Sequence, residues 1–169
     1  MNDLSYIKEG ELWTLHCRRD SFLSKAIRKV TGGDISHTSF AYRKGENILV
    51  FDAQRIGCYP RMFEYWNAKF GYSFEAIKVD KIGREYLVTL DDVILVMRDY
   101  YGKPYGWKDL FKHLAYKYTH IWLTNDNEEN DVTCGELVMT ILKRVGIYKG
   151  ENANKMNPQQ VYEWALKQN

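Results

Sequence analysis

With 169 residues and 45% hydrophobic content, the chain has enough apolar material for one ordinary domain with a real core, expected to span residues 1–169. Charged residues make up 27% and the formal net charge is +2, a balance that gives no basis for a nucleic-acid partner. Aromatics are abundant at 15%, as expected of large core and cleft contacts.

The first half reads as strand-rich. Glu11 to Cys17, with Leu12, Trp13, Thr14 and Leu15, is a first strand. Ser21 to Val30 reads as a helix with Phe22, Leu23, Ala26, Ile27 and Val30 on one side, ended by Thr31-Gly32-Gly33. Ser36 to Arg43 and Ile48 to Ala53 are two strands joined by a hairpin turn at Lys44-Gly45-Glu46-Asn47. Ser73 to Val79 is a further strand, its alternation imperfect. The second half reads as helical. Thr89 caps a helix carrying Val93, Ile94, Val96, Met97 and Tyr100 and stopped near Gly102. Trp107 to Tyr118 is a second amphipathic segment, and Thr124 to Asp131 an acidic, polar loop. Thr133 opens a third helix that Gly146 closes. Pro158, after Asn157, opens a fourth at its first position. Strands followed by segregated helices predict an α+β fold.

The chemistry concentrates in Asp131-Val132-Thr133-Cys134-Gly135-Glu136-Leu137-Val138. Thr133 and Glu136 form a capping-box pattern, and Leu137, Val138, Ile141, Leu142 and Val145 share one helical face. Cys134 then sits in the first turn, where unpaired N–H groups and the helix dipole favour a thiolate and could hold an oxyanion. The competing reading is a small buried hydrophobe, which cysteine often is. A partner base decides between the two.

His37, at the start of a predicted strand, is the candidate base; its imidazole titrates near neutral pH and can take a thiol proton. If the two central strands pair as a hairpin, Asp52 falls beside it on the neighbouring strand and can orient the ring. An acid within Leu49-Val50-Phe51-Asp52-Ala53 is out of place unless it is paired or at a solvent-facing strand end. Gln54 is the alternative orienter.

The other cysteines, Cys17 and Cys58, form no CxxC pair with each other or with Cys134, and three is an odd number. A zinc site and a complete disulfide framework therefore have little support. His113 and His120 could join Cys134 as metal ligands, but their spacing fits no strong pattern. His16 is adjacent to Cys17, and neighbouring strand residues point to opposite faces. The first five residues lack the apolar core of a signal peptide, and no apolar run reaches transmembrane length. The expectation is a soluble protein of a reducing compartment, the cytoplasm, without a cofactor.

Four blocks together resemble one family. Gly10-Glu11-Leu12 with Ser24-Lys25-Ala26-Ile27-Arg28 and Thr31-Gly32 is similar to its opening strand and helix. Ser36-His37-Thr38-Ser39-Phe40-Ala41-Tyr42 resembles its histidine strand, and Tyr101-Gly102-Lys103-Pro104-Tyr105-Gly106-Trp107 its aromatic block. Thr133-Cys134-Gly135-Glu136-Leu137-Val138 resembles its nucleophile helix, and Asn157-Pro158 a later helix start. The family is the circularly permuted branch of the NlpC/P60 papain-like superfamily, the YiiX/YebB-type cysteine hydrolases, with lecithin retinol acyltransferase-like proteins more distant. The resemblance implies a permuted papain-like α+β fold, an antiparallel sheet packed against helices, in which the sheet histidine faces the helix cysteine. It implies Cys134 as nucleophile, His37 as base and Asp52 as third member, with Tyr105 and Trp107 lining the substrate cleft. Packing of a turn is the other reading of those two rings.

Two residues depart from the family pattern. Gly135 stands where the family often has Ser, and Asp52 where it often has Glu. The implied substrate is an amide or ester in a cell-wall peptide or a lipid-linked molecule. An acyltransferase and a binding module without turnover are the rival functions. Arg18, Arg19, Lys25, Arg28 and Lys29 form a basic patch, ordinarily a solvated face, which could contact anionic lipid or a cell-wall polymer.

Overall fold

The structure is a computed structural model that describes residues 3–70, 73–79, 88–106 and 131–168. Its strands are β1 (Trp13–Arg18), β2 (His37–Lys44), β3 (Asn47–Gln54), β4 (Gly57–Met62) and β5 (Ser73–Lys78). They form an antiparallel sheet in the order β4-β3-β2-β1-β5. The described α-helices are α1 (Phe22–Thr31), α2 (Phe63–Phe70), α3 (Leu90–Tyr100), α4 (Cys134–Arg144) and α5 (Pro158–Leu166). A turn of 3-10 helix, Ala153–Lys155, precedes α5. The α+β architecture is the one expected.

Local chemistry explains most boundaries. Ser21 caps α1, its side chain accepting from the Ser24 amide, and Gly32 ends that helix at φ 75°, a left-handed conformation that costs glycine little. Thr89 with Asp92 and Asn157 with Gln160 close capping boxes on α3 and α5. The expected hairpin is present, and it is tighter than the four-residue turn read from the sequence: Lys44 pairs with Asn47 around Gly45-Glu46.

Both faces of the sheet are covered. On one, Phe40, Tyr42, Phe51 and Ala53 pack with Leu137, Val138, Ile141 and Leu142 of α4 and with residues of α3 and α5. On the other, Leu15, Cys17, Ala41 and Val50 pack with Trp66 and Phe63 of α2 and with Leu4 and Ile7. This two-sided burial explains the imperfect pattern of β5. Ile77 joins the first core, while Phe74 and Ala76 pack against the second.

β4 and α2 were not anticipated. Pro60 argues against a strand, since proline cannot donate to a ladder. It is accommodated because β4 is an edge strand. The expected amphipathic segment Trp107 to Tyr118 lies outside the described residues, as does the acidic loop except for Asp131.

Candidate active site

Cys134 is the first residue of α4. Thr133 accepts the Glu136 amide on its hydroxyl at 3.2 Å, and the Glu136 carboxylate accepts the Thr133 amide at 3.4 Å, so the capping box is complete. That bond uses the third amide of the turn and leaves those of Cys134 and Gly135 without intrahelical acceptors. The helix start is fixed from outside as well. Val132 donates its amide to Pro104 at 3.0 Å and accepts that of Gly106 at 3.0 Å, bridging the chain beside Tyr105 to the residues just before the cysteine.

The Gly135 position has no room for a side chain. A β-carbon there would lie 2.1 Å from the Met156 carbonyl oxygen, a backbone atom. The approach of that carbonyl is what calls for glycine at this position. Gly135→Ala is accordingly expected to cost about 1–3 kcal/mol, read as a fall in the urea midpoint with little change in slope. An unchanged midpoint would mean that the contact is absent in solution.

His37 begins β2. In the β2–β3 register, which pairs Phe40 with Phe51 and Ala41 with Val50, Asp52 falls opposite Ser39 and diagonal to His37. His37 Nε2 lies 2.6 Å from Asp52 Oδ1, and the Ser39 hydroxyl donates to the same oxygen at 3.0 Å. Gln54 Nε2 and Trp66 Nε1 each donate to Oδ2 at 2.8 Å. The Arg61 guanidinium lies 3.9 Å from that oxygen. Asp52 is fully buried, so these four donors are what make an ionised carboxylate tolerable there. Burial pushes its pKa up. The charge and hydrogen bond of His37, the Gln54 amide and the Arg61 charge outweigh burial and hold it below the ordinary 3.8. Gln54, the alternative orienter, is 3.3 Å from His37 Nε2 and braces Asp52 instead.

The imidazole that Asp52 holds by Nε2 also acts on the thiol of Cys134. Burial raises the Cys134 pKa. The charge of His37 and its hydrogen bond to the thiol, the backbone amide of Thr38 and the Tyr105 hydroxyl overcome it, leaving the pKa below 9.0. Tyr105 Oη stands 3.6 Å from Cys134 Sγ. The structure therefore brings Cys134, His37, Asp52 and Tyr105 together. Trp107 lies outside the described residues, as do His113 and His120.

Access to these buried groups is through two adjoining clefts. One is lined by Leu23, Ser24, Ser36, His37, Gln54 and Arg55, the other by Thr31, Gly106, Thr133, Cys134, Asn157 and Pro158. Ile27 and Tyr105 border both. Cys17, Cys58 and His16, the other cysteines and the other imidazole among the described residues, behave differently. Burial pushes the thiol of Cys58 up to about 12 and that of Cys17 higher still. His16 is buried between Thr14 and Thr38, and desolvation pulls it down to about 3, so it stays neutral.

Trp66, Arg61 and the Thr38 amide were not among the sequence candidates. Trp66 and Arg61 belong to the two unanticipated elements, and a backbone amide leaves no trace in composition.

No family model matches this chain, and no curated protein matches it in sequence. Among solved structures it is similar to the metalloprotein yiiX of Escherichia coli O157:H7, of the DUF1105 family. The TM-score is 0.53 at 19% identity, over 96% of this chain and 83% of that one. The likeness is one of fold and agrees with the YiiX-type resemblance of the sequence blocks. Among the described residues, no three His, Cys, Asp or Glu side chains converge as a metal site. Both oxygens of Asp52 are already engaged by hydrogen-bond donors, so the described site does not fit a metal centre. No described helix is long and apolar enough to cross a membrane.

Proposed function

We propose that this chain is a cysteine hydrolase of the permuted papain-like kind, cleaving an amide or ester bond through an acyl-thioester. One observation carries the reading: an imidazole whose Nε2 is 2.6 Å from a buried carboxylate acts on a thiol at a helix N-terminus and lowers its pKa.

The steps balance on these groups. His37 takes the thiol proton, and Cys134 Sγ attacks the carbonyl carbon. The resulting oxyanion is held by the Cys134 amide at the helix start, with the Tyr105 hydroxyl close enough to the sulfur to contribute. As the tetrahedral species collapses, the C–N or C–O bond breaks and the imidazolium gives its proton to the leaving atom. Water, deprotonated by His37, then attacks the thioester, and the C–S bond breaks. The acid is released and the cysteine is restored. A cell-wall peptide or a lipid-linked amide is the substrate class the family resemblance suggests.

The test is the pH dependence of iodoacetamide alkylation at each cysteine, read by mass spectrometry. Because the Cys134 pKa is lowered, its thiolate persists below pH 9.0 and its rate should fall only as pH drops through that lower value. His37→Ala should move the midpoint upward. Cys17 and Cys58 should stay inert through neutral pH. An ordinary thiol titration indifferent to His37 would instead favour a binding protein on this fold. Product analysis with and without an added amine or lipid acceptor separates hydrolysis from acyl transfer.

A further inference from the structure

The residues leading into His37 belong to no helix or strand, yet they are tied at successive positions. Ser36 is tied to β1, its amide and its hydroxyl both donating to the Cys17 carbonyl at 3.0 and 3.2 Å. Just before it, the amides of Asp34 and Ile35 both donate to a single atom, Oε1 of Gln159, at 3.0 and 3.2 Å. Gln159 is in the first turn of α5. Its Nε2 donates to Glu163 Oε1 at 3.0 Å, which fixes which way the amide faces. Gly33 makes the approach possible, since a β-carbon there would lie 2.1 Å from Oε1 and from Cδ of Gln159.

The same short run touches the other half of the site. Met156, three residues before Gln159, places its carbonyl against Gly135, the second residue of α4. Asn157 and Pro158 between them line the cleft at Cys134. Residues 156–159 thus contact the nucleophile helix at one end and the lead-in to the base at the other. The two glycines that permit those contacts, Gly33 and Gly135, lie close in sequence to His37 and Cys134.

We infer that Gln159 is a positioning residue: its Oε1 holds the Asp34–Ile35 amides and thereby sets where His37 stands relative to Cys134. The inference rests on the proposed pairing of those two residues. The hydrogen bonds of Oε1 go to backbone amides, so its effect passes through backbone placement. A displacement of about 1 Å at a reacting pair is enough to cost up to about a hundredfold in rate.

Gln159→Leu removes the acceptor while filling the space. Gln159→Glu combined with Glu163→Gln restores an acceptor oxygen and reverses the brace. The Leu variant should alkylate Cys134 at pH 6–7 about tenfold to a hundredfold more slowly, with its midpoint shifted upward, and the paired variant should recover the wild-type profile. A Leu variant with the wild-type profile, or a paired variant that fails to recover it, overturns the assignment. Should Gln159→Leu not fold, Gln159→Asn, one methylene shorter, is read in its place by the same criteria. If wild-type Cys134 itself titrates as an ordinary thiol, the catalytic reading fails separately. Amide hydrogen exchange then decides the present point: faster exchange confined to residues 33–38 in the Leu variant supports the tie, and unchanged exchange there overturns it.

Discussion

Cys134→Ala is expected to abolish turnover while leaving a folded protein. In the proposed mechanism the substitution removes the group that forms the thioester, so the rate on an activated ester should fall by about 10⁴- to 10⁶-fold, the scale seen when a nucleophile is lost from a site whose members act as a unit. Stability should change little. The lost sulfur contacts Tyr105 and His37, and its removal also relieves the cost of keeping an ionisable thiol buried at 1% exposure. Urea denaturation and ester hydrolysis on the same preparation check both halves. An alanine variant that retains its rate would remove Cys134 from the chemistry. One that loses its fold would make the cysteine chiefly a core residue.

Asp52→Ala should be costly in both respects. Four donors converge on this buried carboxylate, and truncation takes that acceptor from Trp66 Nε1, Gln54 Nε2, the Ser39 hydroxyl and His37. Breaking a buried charged network of this kind costs about 3–5 kcal/mol. The rate should fall by about 10³- to 10⁴-fold, because the imidazole loses the partner that fixes its tautomer and orientation. The pH dependence distinguishes this from a generic core defect. The folded pKa of Asp52 is held below 3.8, so its contribution is fully present above 3.8 and is lost only as pH falls through the lower folded value. The stability gap between wild type and variant should therefore shrink as pH falls below 3.8. Urea midpoints at neutral pH and on either side of 3.8 measure it. A gap that closes already at pH 6 would mean that Asp52 is not the titrating group.

The candidate site was legible where side-chain chemistry and local pattern coincide. A capped helix beginning with cysteine and a hairpin carrying His37 and Asp52 can each be read from a few adjacent residues. Hairpin register then fixes the diagonal that joins the last two. The surroundings of Asp52 were not legible. Arg61 and Trp66 reach it from a proline-bearing edge strand and a short helix, respectively, whose sequences carry no clean period. Gln159 was equally hidden, since its contacts with Asp34 and Ile35 span more than 120 residues of sequence. The choice between Asp52 and Gln54 also needed the structure. Both lie on the same strand face, and their distances to the imidazole separate them.

The short bridge between Tyr105 and Val132 has an evolutionary consequence. Gly106 and Val132 are hydrogen-bonded to each other, so the chain departs for residues 107–130 and returns at a single doorway whose two posts are fastened together. Closing a loop costs only about 0.6 kcal/mol more for each doubling of its length. Changes of length between the two posts can therefore accumulate in descendants of this sequence at small cost in closure entropy, while the first turn of α4 keeps its anchor.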